Sequence, residues 1–239
     1  GGHGLSGYWI DSSRRSNLPG LYAAGDVAGG VPKKYASGAW AEAVIAVRAM
    51  IDELRPGDPP PLPEADVARE RQRVFAPLSQ PGPVPARELE ERLQKIMDEY
   101  AGGISVQYGY AEGTLRIAKL HVERMLGELD ALGATTPYEL MHCHEVIDRV
   151  EVARTLIAHM THRRETRWHC YQERLDYPER DDERFMIFVN SVLGEDGVPR
   201  IIERPVQRMS VDVVLPPLSD GAVIRKPLIS SPRSGGEDV

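Results

Sequence analysis

The chain has 239 residues, of which 41% are hydrophobic and 27% are charged. This is the composition of a globular protein with a sizeable core, and it excludes a disordered chain, a collagen and a fibrous protein. The formal net charge of -7 leaves no excess of basic groups for a phosphate backbone, so no nucleic-acid partner is expected. No apolar run approaches the roughly 20 residues that cross a bilayer, so we expect no membrane-spanning segment.

Two cysteines, Cys143 and Cys170, are too few for a disulfide framework, which predicts a reducing, cytoplasmic compartment. The chain begins at Gly1 without a methionine, on a motif that is already under way. It also lacks a charged and then apolar signal sequence. We therefore expect a fragment, or a processed piece, of a larger protein.

The composition divides the chain into four regions. Residues 1–55 are rich in glycine, with short apolar runs. Residues 56–85 form a proline-laden connector, which predicts neither regular helix nor central strand. Residues 86–168 have helical periodicity, and residues 169–239 form an Arg/Asp-rich extension with short strands and a polar tail. We expect disorder from Ser230 onwards.

Three amphipathic helices are predicted in the third region. The first runs from Arg87 to Tyr100 and ends at a glycine C-cap, Gly102-Gly103; the second runs from about Ala111 to Leu132. The third begins at a capping box, Thr136 to Glu139, with proline at its first helical position. Apolar positions in the last two recur every three or four residues and predict a small antiparallel bundle: Leu115, Ala118, Val122, Met125, Leu129, Leu132, Leu140, Cys143, Ile147, Val150, Ala153, Ile157 and Met160.

The extension combines charge with β-strand patterning. Residues 173–184 alternate acids with arginines, which we interpret as ion-paired packing against a neighbouring domain, structural or partner-facing rather than catalytic. A solvated charge run, worth little per ion pair, is the alternative. Arg184–Val192 and Ile201–Val214 alternate enough to predict a hairpin, with Glu195-Asp196-Gly197 as its turn.

A ligand site is predicted in the glycine-rich beginning. Leu21 to Ala24 is typical of a strand buried on both faces, and it ends in Gly25 and Asp26. Ligands of open α/β sheets lie beyond the carboxyl ends of strands. A glycine there lets backbone approach a cofactor, and an aspartate accepts hydrogen bonds from hydroxyls. A helix from about Ser37 through Arg48 would add free N–H groups at its amino end. A plain strand–turn–helix without a ligand fits the same pattern.

Two separated motifs carry a family resemblance. Gly20 to Asp26 resembles the second FAD-binding segment of the succinate dehydrogenase/fumarate reductase flavoprotein family. Arg164 to Arg167, followed by Asp176 to Asp182, is similar to an arginine- and aspartate-rich stretch near that family's C-terminus. The order of the regions agrees as well. The resemblance implies an α/β fragment of an FAD-binding, Rossmann-like domain, followed by a three-helix bundle domain and a short β-containing C-terminal extension.

FAD is the cofactor that the resemblance implies. The candidate cofactor-binding residues are the turn and the start of the next helix: Gly25, Asp26, Ser37, Gly38, Ala39 and Trp40. The amino end of that helix would stabilise a reduced, anionic flavin. Trp40, together with Tyr8 and Trp9, would wall a flat ring or fill a core.

The substrate side rests on one histidine and two lysines. His3 lies where the family has a substrate-contacting histidine, which makes it the candidate catalytic and substrate-binding residue; the alternative is a mobile terminal residue. Where the family's dicarboxylate enzymes place a clamping arginine, this chain has Lys34, beside Lys33. Lysine lacks the planar fork of arginine. Gly1 to Trp9 and Pro32 to Tyr35 resemble the adenylylsulfate reductase alpha-subunit branch of this family, and lysines suit the compact oxyanions of the substrate that this resemblance implies. A solvated basic pair on a loop is the alternative.

No metal site is predicted. His142 and His144 are two residues apart on a helix and point to opposed sides. His159 and His162 can share a helix face, but no paired cysteines accompany them.

Partners follow from what these 239 residues lack. A Gly-x-Gly-x-x-Gly fingerprint set between a strand and a helix, which seats the FAD pyrophosphate, is absent, and so is the region that supplies the family's catalytic arginine. We therefore expect an N-terminal FAD-binding part or chain as partner, and a chain that is inactive alone. The branch also implies an iron–sulfur electron-transfer subunit. The alternatives are a fumarate/succinate-type oxidoreductase and a non-enzymatic assembly module built on the bundle.

Overall fold

The computed structural model describes residues 6–30, 35–53, 55, 57, 61–79, 82, 84–167 and 171–206. Six α-helices lie within these residues: α1 (Ala36–Glu53), α2 (Glu64–Ser79), α3 (Ala86–Tyr100), α4 (Glu112–Leu126), α5 (Pro137–His162) and α6 (Asp182–Phe185). The strands of the described residues pair two by two: β1 (Gly109–Tyr110) with β2 (Glu173–Arg174), in parallel, and β3 (Ile187–Leu193) with β4 (Pro199–Pro205). The tail predicted to be disordered from Ser230 lies outside the described residues.

The main hydrophobic core lies between α3, α4 and α5, the three helices that the periodicity predicts. The apolar positions predicted for the second and third helices are buried, except for Leu129 and Ile147, which are only partly covered. Val146, which the periodicity does not predict, is fully buried beside Ile147 in the sequence. Burying a side chain of this size contributes about 1.5–3 kcal/mol. The apolar faces of these helices therefore account for most of the stability of the bundle.

The ends of α3 and α5 lie where the capping residues predict them. The Thr136 hydroxyl accepts the backbone N–H of Glu139 (3.2 Å), with Pro137 in the first helical turn. The Glu139 carboxylate reaches one residue further back than in a standard capping box, and accepts the N–H and the hydroxyl of Thr135 (2.7 Å each). After α3, Gly102 adopts φ +78°, the left-handed conformation of a helix C-cap glycine.

The second helix is shorter than predicted, because α4 ends at Leu126 rather than Leu132. The N–H of Gly127 donates to the carbonyl of Arg124 (3.2 Å), which tightens the last turn, and a single 3-10 turn follows over Leu129–Ala131. This turn still brings Leu132 into the core, where it is 2% exposed. The apolar residues predicted up to Leu132 therefore still reach the core, although α4 itself ends at Leu126.

The expectation that residues 56–85 contain no helix is wrong, since α2 occupies Glu64–Ser79. The prolines of this region cluster on either side of α2, and the one proline inside it, Pro77, lies in its last turn. Pro77 has no N–H to donate to the carbonyl four residues earlier, so α2 loses one hydrogen bond there and ends two residues later. Glu64 and Asp66 in the first turn also suit the positive end of the helix dipole. Residues 56–85 as a connector between domains stay a prediction.

The predicted buried strand Leu21–Ala24 is also wrong. Only Tyr22 forms an isolated bridge, to Arg15, and Leu21 is exposed. A buried strand requires a neighbour for its backbone groups. Among the described residues this segment is paired on one side only, by residues 14–16, so the α/β sheet predicted for residues 1–55 is not formed within them.

The predicted hairpin is confirmed as far as residue 205 by β3 and β4. Its turn is closed by the N–H of Gly194, which donates to the carbonyl of Val198 (2.9 Å), and Gly197 has φ +71°. The first strand begins at Ile187, later than predicted, because α6 precedes it. Asp181 caps α6 by accepting the N–H of Arg184 (2.9 Å).

None of the described helices combines the length and the apolar character that crossing a membrane requires.

Candidate flavin-facing site

The turn at Gly25 and the first turn of α1 touch each other. Gly25 is buried and has φ +72°, and a Cβ there would lie 3.2 Å from the Cβ of Ala39. The stretch that follows, residues 25–30, is called the glycine loop below. The N–H of Ala28 donates to the carbonyl of Gly25 (3.0 Å) and closes the loop's first turn. Two of the predicted cofactor-binding residues, Gly25 and Ala39, are thus brought into contact.

A second backbone segment holds the glycine loop from the other side. The N–H of Tyr8 donates to the carbonyl of Val27 (2.7 Å), and the N–H of Gly29 donates to the carbonyl of Tyr8 (2.9 Å). A Cβ on Gly29 would lie 2.8 Å from the carbonyl oxygens of Gly7 and Tyr8. Only glycine allows this close approach of two backbone segments.

Substituting alanine for Gly25 should lower the free energy of unfolding by about 1–2 kcal/mol, the cost of the left-handed conformation for a residue with a Cβ, and further through crowding against Ala39. Gly30→Ala is the matched control, because Gly30 also has positive φ (+80°) but its added Cβ would meet nothing within 4 Å. Urea unfolding of both variants measures the difference. Equal losses for the two variants would contradict the close packing of Gly25 on α1.

The other predicted cofactor-binding residues surround this contact. Asp26 and Ser37 are exposed, Gly38 is half-buried, and Trp40 is 76% exposed. Tyr8 and Trp9 are exposed as well. These three aromatic side chains therefore do not fill a core. The amino end of α1 therefore presents an aromatic ring and backbone donors to its surroundings.

The substrate-side predictions fall on His3, Lys33 and Lys34, which lie outside the described residues. Their assigned roles stay predictions. The spacing of Gly2, Gly4 and Gly7 does match the letters of Gly-x-Gly-x-x-Gly. No α-helix follows within residues 8–30, however, so this spacing does not form the fingerprint that seats a pyrophosphate on a helix end.

Two ion pairs and one hydrogen bond that the sequence does not indicate hold the N-terminal segment on α1. The Arg14 guanidinium pairs with Glu42, which is 8% exposed, and its Nη2 lies 3.0 Å from Oε1. Glu53, near the end of α1, accepts hydrogen bonds from the Tyr22 hydroxyl and pairs with Arg15. The Tyr22 and Arg15 donors lower the pKa of Glu53. These contacts join residues about thirty positions apart, which no local motif reveals.

The first part of the arginine-rich motif is built around a buried carboxylate. The Glu165 side chain is 0% exposed and accepts hydrogen bonds from Arg167 Nε (2.7 Å), Arg167 Nη2 (2.8 Å) and the backbone N–H of Asp181 (2.9 Å). Arg163 donates to the same carboxylate, and Arg167 also reaches Asp182 (2.8 Å). The motif therefore ties the end of α5 to the segment that leads into α6.

The second part centres on Arg174, whose side chain is also 0% exposed. Its guanidinium donates to the carbonyls of Met160, Thr161 and Arg163, at the end of α5, and pairs with Asp176 (3.0 Å). Ion pairing within this run is confirmed for Arg174, while packing against a neighbouring domain stays a prediction. An arginine here satisfies helix-end carbonyls that would otherwise be buried without donors.

The histidines that suggested a metal each contact a different group. Nε2 of His142 lies 3.0 Å from Glu90, and Nε2 of His144 lies 2.8 Å from the carbonyl of Val74. The remaining pair contacts the hairpin: His159 with Ser191 (2.9 Å) and His162 with Glu203 (2.7 Å). In the part of the chain that the structure describes, no group of three or more His, Cys, Asp or Glu side chains could hold a metal ion.

The chain combines a helical bundle, a buried arginine motif and a glycine loop packed on the start of a helix. Residues 90–219, more than half of the chain, match the family model of the fumarate reductase flavoprotein C-terminus. The chain belongs to that family. The resemblance inferred from the two motifs is thereby confirmed.

Individual relatives agree with this placement. The alpha subunit of adenylylsulfate reductase from Megalodesulfovibrio gigas is 24% identical over 194 residues, which are 75% of this chain and 29% of that protein. The structure of adenylylsulfate reductase from Archaeoglobus fulgidus matches with a TM-score of 0.72 at 32% identity, over 82% of this chain and 33% of that chain. An E. coli quinol fumarate reductase shows the same fold, with a TM-score of 0.71 at 20% identity over 90% and 37% of the two chains. This chain thus spans about a third of the length of these relatives.

Proposed function

We propose that this chain is the C-terminal part of an FAD-dependent oxidoreductase of the adenylylsulfate reductase alpha type, which reduces adenylylsulfate to sulfite and AMP. The observation that carries this proposal is the contact between the glycine loop and the first turn of α1, at Gly25 and Ala39. It places the segment that resembles an FAD-binding motif against a helix amino end, where an anionic ring edge is stabilised. The similarity to two adenylylsulfate reductases supports the choice of branch.

The residues around this contact fit an FAD. Gly25 has no side chain to hold a ring away from the backbone, and the exposed Asp26 carboxylate can accept hydrogen bonds from the sugar-alcohol hydroxyls. The N–H of Ala39 donates to the carbonyl of Tyr35 (2.8 Å). Because the first N–H groups of a helix have no partner within it, we place an outside acceptor beside the N–H groups that precede Ala39 in α1. Trp40 would lie against the ring system. When bound, FAD supplies the two-electron transfer.

The substrate residues that we propose are His3, Lys33 and Lys34. An imidazole can donate a hydrogen bond to a substrate oxygen, and two ammonium groups suit the compact charge of a sulfate or phosphate. Lys34 replaces a forked guanidinium by a point charge, which disfavours a dicarboxylate substrate. A fumarate/succinate-type oxidoreductase is the second candidate, because an E. coli quinol fumarate reductase shares the fold.

The exposed face of α1 supports a protein partner at this site. Buried side chains of α1 are small or charged, namely Glu42, Ala46 and Ala49, whereas larger apolar ones are exposed: Val44, Ile45, Val47 and Ile51. Exposed apolar surface of this kind marks an interaction site. We propose that an N-terminal FAD-binding part covers it, that an iron–sulfur subunit delivers the electrons, and that the chain is inactive alone. The cytoplasmic compartment stays a prediction from the cysteine count.

Reconstitution with a complementary N-terminal FAD-binding part tests the proposal. We expect a yellow complex with flavin absorbance that converts sulfite and AMP to adenylylsulfate in the presence of an electron acceptor, and that does not reduce fumarate. Fumarate reduction would transfer the assignment to the fumarate/succinate type. A stable complex that stays colourless would exclude a flavoprotein and favour a non-enzymatic assembly module.

Lys34→Ala in the same complex tests the substrate site. Losing a hydrogen bond to a charged group costs about 1.5–3 kcal/mol, so KM for the oxyanion substrate should rise at least about tenfold while the flavin content is unchanged. Lys95→Ala, on the exposed side of α3, is the control and should change neither quantity. A loss of flavin in Lys34→Ala would show that this residue was misassigned.

A further inference from the structure

A cavity of about 440 Å³ lies between α4, α5 and the β3–β4 hairpin, apart from the glycine loop. Cavities of roughly 300–1,000 Å³ are the size that small organic ligands occupy. None of the proposed flavin or substrate residues lines it. It is called the hairpin cavity below.

Most of the ionisable side chains that line the hairpin cavity are basic. They are Lys119, Arg154, His162, Arg164 and Arg184, together with one acid, Glu123. Three of the basic groups have acidic partners: Lys119 with Glu123 (3.6 Å), Arg154 with Glu151 (3.2 Å) and His162 with Glu203 (2.7 Å). Arg164 and Arg184 pair with no carboxylate among the described residues, and each lies over an aromatic ring instead. The lining therefore carries uncompensated positive charge.

Arg154 leaves a further donor unmatched. Its Nη2 donates to the carbonyl of Gly197 in the hairpin turn and lies near Glu151, but its Nε is buried without a hydrogen-bond partner among the described residues. An unmatched buried donor costs about 1–3 kcal/mol. An acceptor that drew this guanidinium towards the cavity would relieve part of that cost.

The remaining wall is apolar. It consists of aliphatic side chains and a proline: Val122, Ile157, Ala158, Val198, Pro199 and Ile201. Val122 and Ile157 are 0% and 1% exposed and belong to the core of the bundle, so this wall is rigid. A ligand that fits both parts has an anionic head group and a small apolar body.

We propose that the hairpin cavity binds a small organic phosphate or sulfate ester, with its oxyanion on Arg164 and Arg184 and its apolar body against Val198 and Ile201. Two uncompensated guanidinium groups match the charge of a monoester, and their planar forks match its oxygens. The site is independent of the flavin-facing site, so its test does not depend on a reconstituted complex.

Calorimetric titration of phenyl phosphate into the full chain tests the proposal. We expect saturable binding with one site, and at least a tenfold loss of affinity in Arg164→Gln combined with Arg184→Gln. Both side chains are exposed, so the double variant should fold. Arg87→Gln is the control, since Arg87 is 82% exposed on α3 and outside the cavity; it should bind as the wild type does. No saturable binding, or equal losses in the double variant and the control, would overturn the proposal.

A second set of probes separates the head group from the body. Inorganic phosphate should bind at least tenfold more weakly than phenyl phosphate, because it makes no use of the apolar wall. Val198→Asp should also weaken phenyl phosphate binding, since it adds a negative charge to the lining at a position 49% exposed. Equal affinities for the two probes would contradict the placement of the apolar body on the apolar wall. An unchanged affinity in Val198→Asp would contradict binding in the hairpin cavity.

Discussion

Replacing Arg174 by alanine should destabilise the chain by about 3–5 kcal/mol, the cost of breaking a buried charged pair by removing one partner. The guanidinium is inaccessible to solvent and donates to three carbonyls at the end of α5, including Thr161 (3.2 Å) and Arg163 (2.8 Å). It also neutralises Asp176 (3.0 Å) and lies 5.0 Å from the ring centroid of Tyr177. Without it, these carbonyl groups and the Asp176 carboxylate lose the donor that they share.

Equilibrium urea unfolding of the full chain measures this effect. Arg200→Ala is a matched control, because Arg200 is 63% exposed and lies 3.5 Å from Asp196; it should change stability by less than about 0.5 kcal/mol. Arg174→Lys should recover only part of the loss, since an ammonium cannot span three carbonyls and a carboxylate as a planar fork does. A loss below 1 kcal/mol in Arg174→Ala would mean that the network is not required for the fold.

The helical bundle is the part of the fold that sequence patterning predicts well. An apolar period of three or four residues decides which face of a helix is buried, and burial then decides where the helix packs. That is why the apolar positions of α4 and α5 were predicted almost completely. Local capping chemistry at Thr136 and Gly102 likewise places helix ends correctly, because it depends on residues within one turn.

Contacts between distant residues are the part that the pattern misses. Arg174 satisfies carbonyls of residues 160–163 across a loop, and Glu165 joins the same loop to Asp181. The sequence indicates that arginines and acids alternate, but it does not show which of them is buried. Helix α2 is a further case. The prolines of residues 56–85 lie mainly on either side of α2, so the proline content of the whole region does not indicate what the residues between the prolines form.

The flavin-facing site stays a prediction, although part of its local backbone geometry agrees with the sequence analysis. A glycine at position 25 was expected to allow a close backbone approach, and its φ of +72° and its contact with Ala39 agree. The strand before it was not formed, because a parallel strand is stable only with neighbours on the sheet. Trp40 and the larger apolar residues of α1 are likewise exposed, because nothing within the described residues covers them.

Replacing Glu165 by glutamine should lower the free energy of unfolding by several kcal/mol at neutral pH, about 3–5 if the arginines stay buried without their counter-charge. Glu165 accepts hydrogen bonds from Arg163, Arg167 and the N–H of Asp181, and a neutral amide can neither accept all of them nor balance the charge. Glu91→Gln, whose glutamate is 51% exposed and pairs with Arg87 (3.0 Å), is the control and should cost less than about 0.5 kcal/mol.

The same substitution should change how stability depends on pH. Burial raises the pKa of Glu165, but the donors of Arg167, Asp181 and Arg163 outweigh burial and hold that pKa below its ordinary value of 4.5. A carboxylate with a lowered pKa stabilises the folded state fully above its ordinary value, and this contribution is lost as the pH falls through the lowered pKa. The stability difference between wild type and Glu165→Gln should therefore be constant between pH 7 and about 5.5 and shrink below about pH 4.5. Urea unfolding at a series of pH values measures it, and a difference that persists unchanged down to the acid unfolding of the wild type would show that the Glu165 charge contributes nothing to holding α5 on the segment before α6.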